Sequence, residues 1–181
     1  MSRAGDWGLT FTGRQFWPLD PRPSDICIED VAHALSMQCR FAGHCRSFYS
    51  VAQHSVLVSQ VVPRELALHG LLHDAAEAYV HDIIRPLKHA LDGYRVIEKR
   101  WEHAIGEAFG LGADLAYGKP AVKRADLVVL AAEHRDLMAL SPEPWGSLTC
   151  VDAMPDPILP WSPRRAEAAF MARFCELMVS P

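Results

Sequence analysis

Residues 71–77, which read Leu-Leu-His-Asp-Ala-Ala-Glu, place three ionisable side chains inside an otherwise apolar run. The Ala and Leu residues favour a helix, on which His73 and Glu77 lie one turn apart on the same face and Asp74 lies about 100° further round. Burying a carboxylate without a partner costs several kcal/mol. A core helix with this sequence therefore requires a compensating cation, of which a divalent metal ion is the simplest, or a proton held for use.

Two other apolar segments each carry an isolated polar residue of a metal-binding type. These are His54 within residues 50–58 and Asp126 within residues 122–130. A single histidine on an apolar helix is more often a hydrogen-bonded core residue than a ligand. Imidazole and carboxylate groups together favour a catalytic, incompletely filled divalent site over a closed structural site, which would more often use thiolates.

The order of these residues resembles the H…HD…D signature of the HD-domain metal-dependent phosphohydrolases. Four local blocks are similar to the YfbR-like 5′-deoxynucleotidases and related phage and bacterial nucleotide hydrolases, namely residues 50–55, 72–79, 81–83 and 122–126. Their joint occurrence in this order is far more specific than any single block. The resemblance implies an HD-domain helical bundle in which one divalent ion is bound by four ligands: His54, His73, Asp74 and Asp126.

The hydrophobic periodicity also predicts an all-α fold, and the length fits one domain over residues 1–181 with a core at about 26–178. The arm at residues 1–25 is rich in proline and aromatic residues, and we expect it to pack on the helical body. No stretch has the alternation of a strand, and residues 80–88 are predicted as a turn. Helices are predicted at about residues 26–41, 50–63, 63–79, 94–109, 120–138 and 163–178.

Charge, cysteine content and the length of apolar runs limit the binding partners and the cellular compartment that we expect. A net charge of -4 and a pI near 6.1 provide no broad cationic surface for a nucleic-acid polymer. Five cysteines without a CxxC pair do not indicate a disulfide framework. No apolar run approaches membrane-spanning length, and the first residues lack a signal-like stretch, so we expect a cytoplasmic protein without a membrane partner.

Substrate contacts are expected from the resemblance at three residues. Arg40 and Phe41 occupy the place of an Arg-Trp pair that helps these enzymes to bind the nucleotide, although Phe41 lacks the indole donor. A planar guanidinium suits phosphate, and a phenyl face suits base stacking. Asp82 occupies a position that contacts the sugar, where the family commonly has Gly-Asp and this chain has His81.

The predicted function is a divalent-metal-dependent phosphohydrolase that removes the 5′-phosphate of deoxynucleoside monophosphates. The ion would be Co, Mn, Zn, Mg, Ni or Fe, and Glu77 is the candidate group to take or relay a proton. The resemblance further implies a small-molecule nucleotide substrate and a homodimer.

Three alternatives stay open at this stage. One is a deoxynucleoside triphosphate hydrolase of the same fold. Another is a catalytically silent binding module, which would not need the four ligands and Glu77 for catalysis. A di-iron HD-type oxygenase would use additional histidines. The candidates for those are His33, His44, His69, His81, His89, His103 and His134.

Overall fold

The computed structural model describes residues 2–112 and 120–179 and shows a mostly helical chain, so the predicted all-α class is confirmed. The helices are α1 (Ile28–Met37), α2 (Val51–Val61), α3 (Ala67–Leu72), α4 (Glu77–Val80), α5 (Arg85–Ala90), α6 (Asp92–Ala108), α7 (Pro120–Leu137) and α8 (Pro163–Val179). The single domain stays a prediction, and residues 1, 113–119 and 180–181 of its span lie outside the described residues.

The apolar runs and the cysteines of the sequence can be compared with the structure. Among the described residues, no helix combines the length and the apolar character needed to cross a bilayer. The five cysteines are free thiols, and the closest pair described, Cys39 and Cys45, has its Sγ atoms 3.4 Å apart.

Helix α2 begins where the sequence predicts. The Ser50 hydroxyl accepts the backbone N–H of Gln53 at 3.1 Å and so caps the first turn. The Gln53 side chain does not complete a capping box. It donates to the Leu159 carbonyl at 2.9 Å and accepts from the Trp161 backbone at 2.7 Å, which anchors the segment before α8 to the centre of the bundle.

The first predicted helix is four residues too long, because α1 ends at Met37. The chain then becomes extended and pairs with the residues that lead into α2. The Gln38 carbonyl accepts from Val51 N at 3.1 Å, and Arg40 N donates to the Tyr49 carbonyl at 2.9 Å. Arg40 therefore lies in the loop between α1 and α2 and not on a helix.

The helix predicted at residues 63–79 is interrupted. Helix α3 ends at Leu72, and residues 73–76 form a tighter turn in which Ala75 N bonds to Leu72 O and Glu77 N to Asp74 O, both at 3.0 Å. Such i→i−3 bonds wind the chain by about 120° per residue instead of about 100°. Glu77 is thereby rotated away from the face that carries His73.

Two short elements were not predicted. Helix α5 occupies part of the stretch that was predicted as a turn, and Pro86 lies in its first turn, where a missing N–H is tolerated. In the arm, β1 (Gly8–Leu9) and β2 (Gln15–Phe16) form an antiparallel hairpin.

The arm packs on the helical body, as expected. The Trp101 side chain of α6 is fully buried, and its Nε1 donates to the Pro18 carbonyl at 3.1 Å. The Phe16 ring of β2 meets the Trp101 ring edge-on at a centroid distance of 5.9 Å and the Tyr79 ring edge-on at 5.4 Å, and the Tyr79 and Trp101 rings stack at 4.1 Å. These aromatic contacts join the arm, α4 and α6 into one core.

Gly70 allows α3 to approach α2 closely. A Cβ atom at this position would lie 3.0 Å from Ser59 Cα and 3.0 Å from Val62 Cγ2. Because one of these neighbours is backbone, the clash can be relieved only by separating the two helices. The same approach sets the distance between His54 on α2 and His73 just after α3.

We predict that Gly70→Ala destabilises the fold by about 1–3 kcal/mol, as overpacked sites do, and weakens metal binding as His73 moves away from His54. Gly93→Ala in α6 is the matched control, since its Cβ would meet nothing within 4 Å. Urea unfolding of both variants measures the difference. A Gly70→Ala protein as stable as the Gly93→Ala protein would contradict the close packing.

Candidate metal centre

Three of the four predicted metal ligands, His54 on α2 and His73 and Asp74 in the turn after α3, have donor atoms within 4.8 Å of one another. The fourth, Asp126 on α7, contacts His54 but is not part of that mutually close group. His54 Nε2 lies 3.3 Å from His73 Nε2, 3.2 Å from Asp126 Oδ1 and 3.6 Å from Asp74 Oδ2. The His73 and Asp74 donor atoms are 3.2 Å apart. His54 is fully buried, whereas the Asp74 and Asp126 side chains are 20% and 21% exposed, so the cluster opens towards solvent on its carboxylate side.

The outer nitrogen of each imidazole is occupied by an acceptor. His73 Nδ1 lies 2.8 Å from the Gly70 carbonyl, which can only accept, so this nitrogen carries a proton. His54 Nδ1 lies 2.6 Å from Glu133 Oε1, and the other Glu133 oxygen accepts from Arg40 Nη2 at 3.1 Å. Because Arg40 keeps Glu133 ionised, His54 Nδ1 is also the donor.

It follows that each imidazole, when Nε2 is unprotonated, directs a lone pair towards the Asp74 carboxylate, and an Asp126 oxygen lies beside that of His54. Four lone pairs at this spacing repel one another unless a cation or a proton lies between them. Atoms about 2.1 Å from one metal ion stand roughly 3.0–3.4 Å apart when they occupy neighbouring coordination positions. Three of the four distances, at 3.2–3.3 Å, lie in this range, and the 3.6 Å between His54 and Asp74 is slightly longer. The residues present therefore suit a divalent ion, with imidazoles oriented by hydrogen bonds in the way metal ligands usually are.

Without an ion, a proton supplies the missing positive charge. Burial and the Arg40 charge lower the pKa of His54, but the carboxylates of Glu133 and Asp126 outweigh both and raise it to about 9. Burial opposes ionisation of Asp126 as well, yet its bond to His54 holds the pKa of that carboxyl below its usual value. The metal-free cluster is thus a protonated His54 among carboxylates.

Glu133 is the site residue that sequence reasoning missed. It is fully buried on α7 and lies seven residues after Asp126, which places both on the same helix face. Burial raises its pKa, but Arg40 and His54 outweigh burial and keep it below its usual value. The available signal was a carboxylate at the end of the apolar run of residues 127–132.

Glu77, the predicted catalytic residue, is buried beside the donor cluster and not within it. Its Oε1 lies 3.4 Å from Lys88 Nζ, and its Oε2 is buried without a hydrogen-bond partner among the described residues. Burial and the charges of Asp74 and Asp82 raise the pKa of Glu77 well above its usual value, against the opposing charge of Lys88. The neutral form of Glu77 is thus favoured more than in an exposed glutamate.

Arg40 contacts two carboxylates of the site: Nη2 donates to Glu133, and Nη1 lies 3.5 Å from Asp74 Oδ2. Its Nε is buried without a partner among the described residues. Burial favours the neutral form of Arg40, but Glu133 and Asp74 raise its pKa overall. The side chain therefore fastens the Arg40 loop to the ligands, and its predicted contact with substrate phosphate stays a prediction.

The predicted Phe41 contact lies next to Arg40, whose guanidinium carbon is 5.3 Å from the Phe41 ring centroid. The Phe41 ring centroid is also 6.1 Å from that of Trp145. Phe41 and Ala42 have φ values of 57° and 50°, a left-handed conformation that is rare for non-glycine residues and often found at functional sites. Trp145 was not recognised in the sequence, because it lies 104 residues further along the chain.

Asp82 is held at the site by its backbone, whose N–H donates to Gln38 Oε1 at 3.1 Å. The same Gln38 side chain donates to the Glu77 carbonyl at 2.9 Å and so connects α4 to the end of α1. The preceding His81 has a φ of 74°, which explains why a glycine suits this position. The role of Asp82 in sugar binding stays a prediction.

We predict that metal binding displaces the His54 proton. Below a pKa of about 9 that proton must leave before the ion binds, so the apparent affinity should rise by up to about tenfold per pH unit until pH 9 and then level off. Titration calorimetry with Zn²⁺ at pH 7, in buffers of different ionisation enthalpy, should give about one proton released per ion. A release near zero would contradict the protonated cluster.

We also predict that Glu133→Gln weakens metal binding by about 10- to 100-fold, as loss of a hydrogen-bond partner that orients a metal-binding histidine typically does. Glu107→Gln, at an exposed glutamate on α6, is the matched control. Equal affinities in the two variants would show that Glu133 does not orient His54.

Comparison with known proteins provides full-length relatives but no functional name. No protein-family model matches the chain. It is 43% identical over 169 residues to Uncharacterized protein YfdR of Escherichia coli (strain K12), an alignment that covers 93% of each chain. It is also 36% identical to an uncharacterized protein of Rhodobacter capsulatus, over 99% of this chain and 98% of that one. The chain therefore belongs to the protein family that includes Escherichia coli YfdR.

Proposed function

We propose that this protein is a divalent-metal-dependent phosphohydrolase of the HD-domain type that removes the 5′-phosphate of deoxynucleoside monophosphates. The observation that supports this most is the cluster of His54, His73 and Asp74, whose donor atoms lie within 4.8 Å of one another, with Asp126 beside His54 and the carboxylate side open to solvent. A mixed set of this kind leaves coordination positions for substrate. The resemblance to the HD-domain phosphohydrolases adds the nucleotide as the substrate class.

A bound divalent ion supplies an activated water and polarises a phosphoryl oxygen. The protein residues orient the ligands and bind the phosphate. Glu133 and the Gly70 carbonyl hold His54 and His73 with their Nε2 atoms inward. At the open side, Arg85 of α5 has a half-exposed side chain with Nη2 3.9 Å from Asp126 Oδ2. Arg85 is thus placed to receive the non-bridging oxygens of an arriving phosphate.

Glu77 supplies the proton in this proposal. Because burial and nearby acids raise its pKa, Glu77 is suited to donate a proton to the leaving 5′-oxygen and then to recover a proton from water. Its Oε2, which lacks a partner in the described residues, is the oxygen available for this transfer. The nucleoside would extend towards the Phe41 and Trp145 rings, with Asp82 as acceptor for a sugar hydroxyl.

The charges around the site favour a monophosphate over a triphosphate. Among the cations that contact this site in residues 2–112 and 120–179, Arg40 and Lys88 are each engaged by two carboxylates. Arg85 alone is half exposed. A triphosphate needs several uncommitted cations. The homodimer expected from the resemblance stays a proposal.

The function is tested by incubating the metal-loaded protein with deoxy- and ribonucleoside mono-, di- and triphosphates and identifying the released product. We expect inorganic phosphate from deoxynucleoside monophosphates. Asp74→Ala, which removes a ligand, is the inactive control. Release of pyrophosphate or triphosphate would indicate a triphosphate hydrolase, and no release from any nucleotide would reject the proposal.

We predict that Glu77→Gln lowers kcat by about 100- to 10,000-fold, because a general acid or base typically contributes this much. Metal content and nucleotide affinity should stay close to those of the wild type, since none of the four ligands is changed. Loss of the metal would instead make Glu77 structural to the site. Near-normal turnover would exclude it as the proton-transfer group.

A further inference from the structure

Glu77 belongs to a buried cluster of charges that the four metal ligands do not explain. Glu77, Glu98 and Glu102 are 5%, 6% and 9% exposed, and within residues 2–112 and 120–179 Lys88 is the one ammonium in contact with the first two. Burial and Glu98 raise the pKa of Glu102 to about 7. Three acids around one amine are an expensive arrangement in a protein interior, which points to a use for it.

Lys88 is held firmly by α6. Its Nζ donates to Glu98 Oε1 at 2.6 Å and lies 5.6 Å from the centroid of the Tyr94 ring. The Tyr94 hydroxyl donates to the His81 carbonyl at 2.7 Å and lies 3.4 Å from the same Glu98 oxygen. Burial opposes the charge of Lys88, but Glu77 and Glu98 outweigh burial and raise its pKa, so it stays cationic.

The amine distinguishes the two oxygens of Glu77. Oε1 faces Lys88 Nζ at 3.4 Å, whereas Oε2 has no hydrogen-bond partner among the described residues. A carboxyl whose one oxygen is held by a fixed cation has a defined rotamer and a defined reacting oxygen. Because Glu98 has the shorter contact, the position of Lys88 is set by α6 and is then imposed on Glu77.

We propose that Lys88, braced by Glu98 and Tyr94, is the positioning residue of Glu77: it holds Oε1 and thereby presents Oε2 for proton transfer. This inference rests on the proposed function, since it assigns a partner to its proton-transfer group. It also separates the tasks of the two cations on α5. Arg85, half exposed beside Asp126, receives phosphate, whereas Lys88, already engaged by two carboxylates, does not.

The kinetic test compares Lys88→Met, Lys88→Arg and Glu98→Gln with the wild type, and Lys99→Met, at an exposed lysine of α6, is the matched control. We expect Lys88→Met to lower kcat by about 10- to 100-fold, as loss of an orienting partner does, with KM and metal content nearly unchanged. Lys88→Arg should restore most of the activity, and Glu98→Gln should show a smaller loss. A higher KM with unchanged kcat would instead make Lys88 a phosphate ligand and overturn the proposal.

A second readout does not depend on activity. The Glu77 carboxyl can be titrated by carbon-13 NMR in glutamate-labelled, Mg²⁺-loaded protein and assigned with Glu77→Gln. The charged side chains around it are Asp74 and Asp82, which favour its neutral form, and Arg40 and Lys88, which together with the bound Mg²⁺ favour its ionised form. In Lys88→Met, Glu77 should therefore titrate at a pH higher by about one unit or more.

The two readouts keep the two proposals apart. If the wild type hydrolyses no nucleotide but the Glu77 titration shifts in Lys88→Met, the proposed function fails while the coupling of Lys88 to Glu77 stands. If the wild type is active and neither kcat nor the titration changes, the positioning role is wrong. Should Lys88→Met fail to fold, Glu98→Gln, which removes the brace of Lys88 but keeps most of the packing, gives the same readouts with smaller changes, and an unchanged kcat and titration in Glu98→Gln would overturn the proposal.

Discussion

The structure depends most on the repulsion among four lone pairs at His54 Nε2, His73 Nε2, Asp74 and Asp126. Each imidazole is turned inward by an acceptor on its far side, Glu133 for one and a backbone carbonyl for the other. No arrangement of neutral side chains relieves this repulsion. A cation between the donor atoms does relieve it. Without a metal ion, the proton that His54 retains because of its raised pKa takes that place. The site therefore requires a positive charge between its donor atoms, from a bound metal ion or from the proton on His54.

Around this centre, acids and bases alternate in two chains of contacts. One runs from Asp74 through Arg40 to Glu133 and back to His54, and it fixes the ligands. The other runs from Glu77 through Lys88 to Glu98, and it fixes the group proposed to move a proton. Buried ion pairs contribute little net stability compared with apolar packing, so their concentration here favours a functional over a structural explanation.

What the sequence could predict was local. Ser50 begins α2 as expected because the cap bonds within one turn, and the ligands were recognisable because polar residues stand out in apolar segments. The Ala-rich run of residues 73–76 has the composition of a continuous helix, so its tighter turn and the rotation of Glu77 were not predicted. Glu133 and Trp145 were missed because their partners, His54 and Phe41, are distant in the sequence and become neighbours only through packing.

The central claim is that one divalent ion is bound between the two Nε2 atoms and the two carboxylates, and anomalous diffraction from crystals grown with Mn²⁺ tests it most directly. We expect one anomalous peak at about 2.0–2.3 Å from a donor atom of each of His54, His73, Asp74 and Asp126. A crystal with saturating Mn²⁺ that shows no peak there would contradict the account. So would a peak bound by other residues while the two Nε2 atoms still face each other at 3.3 Å.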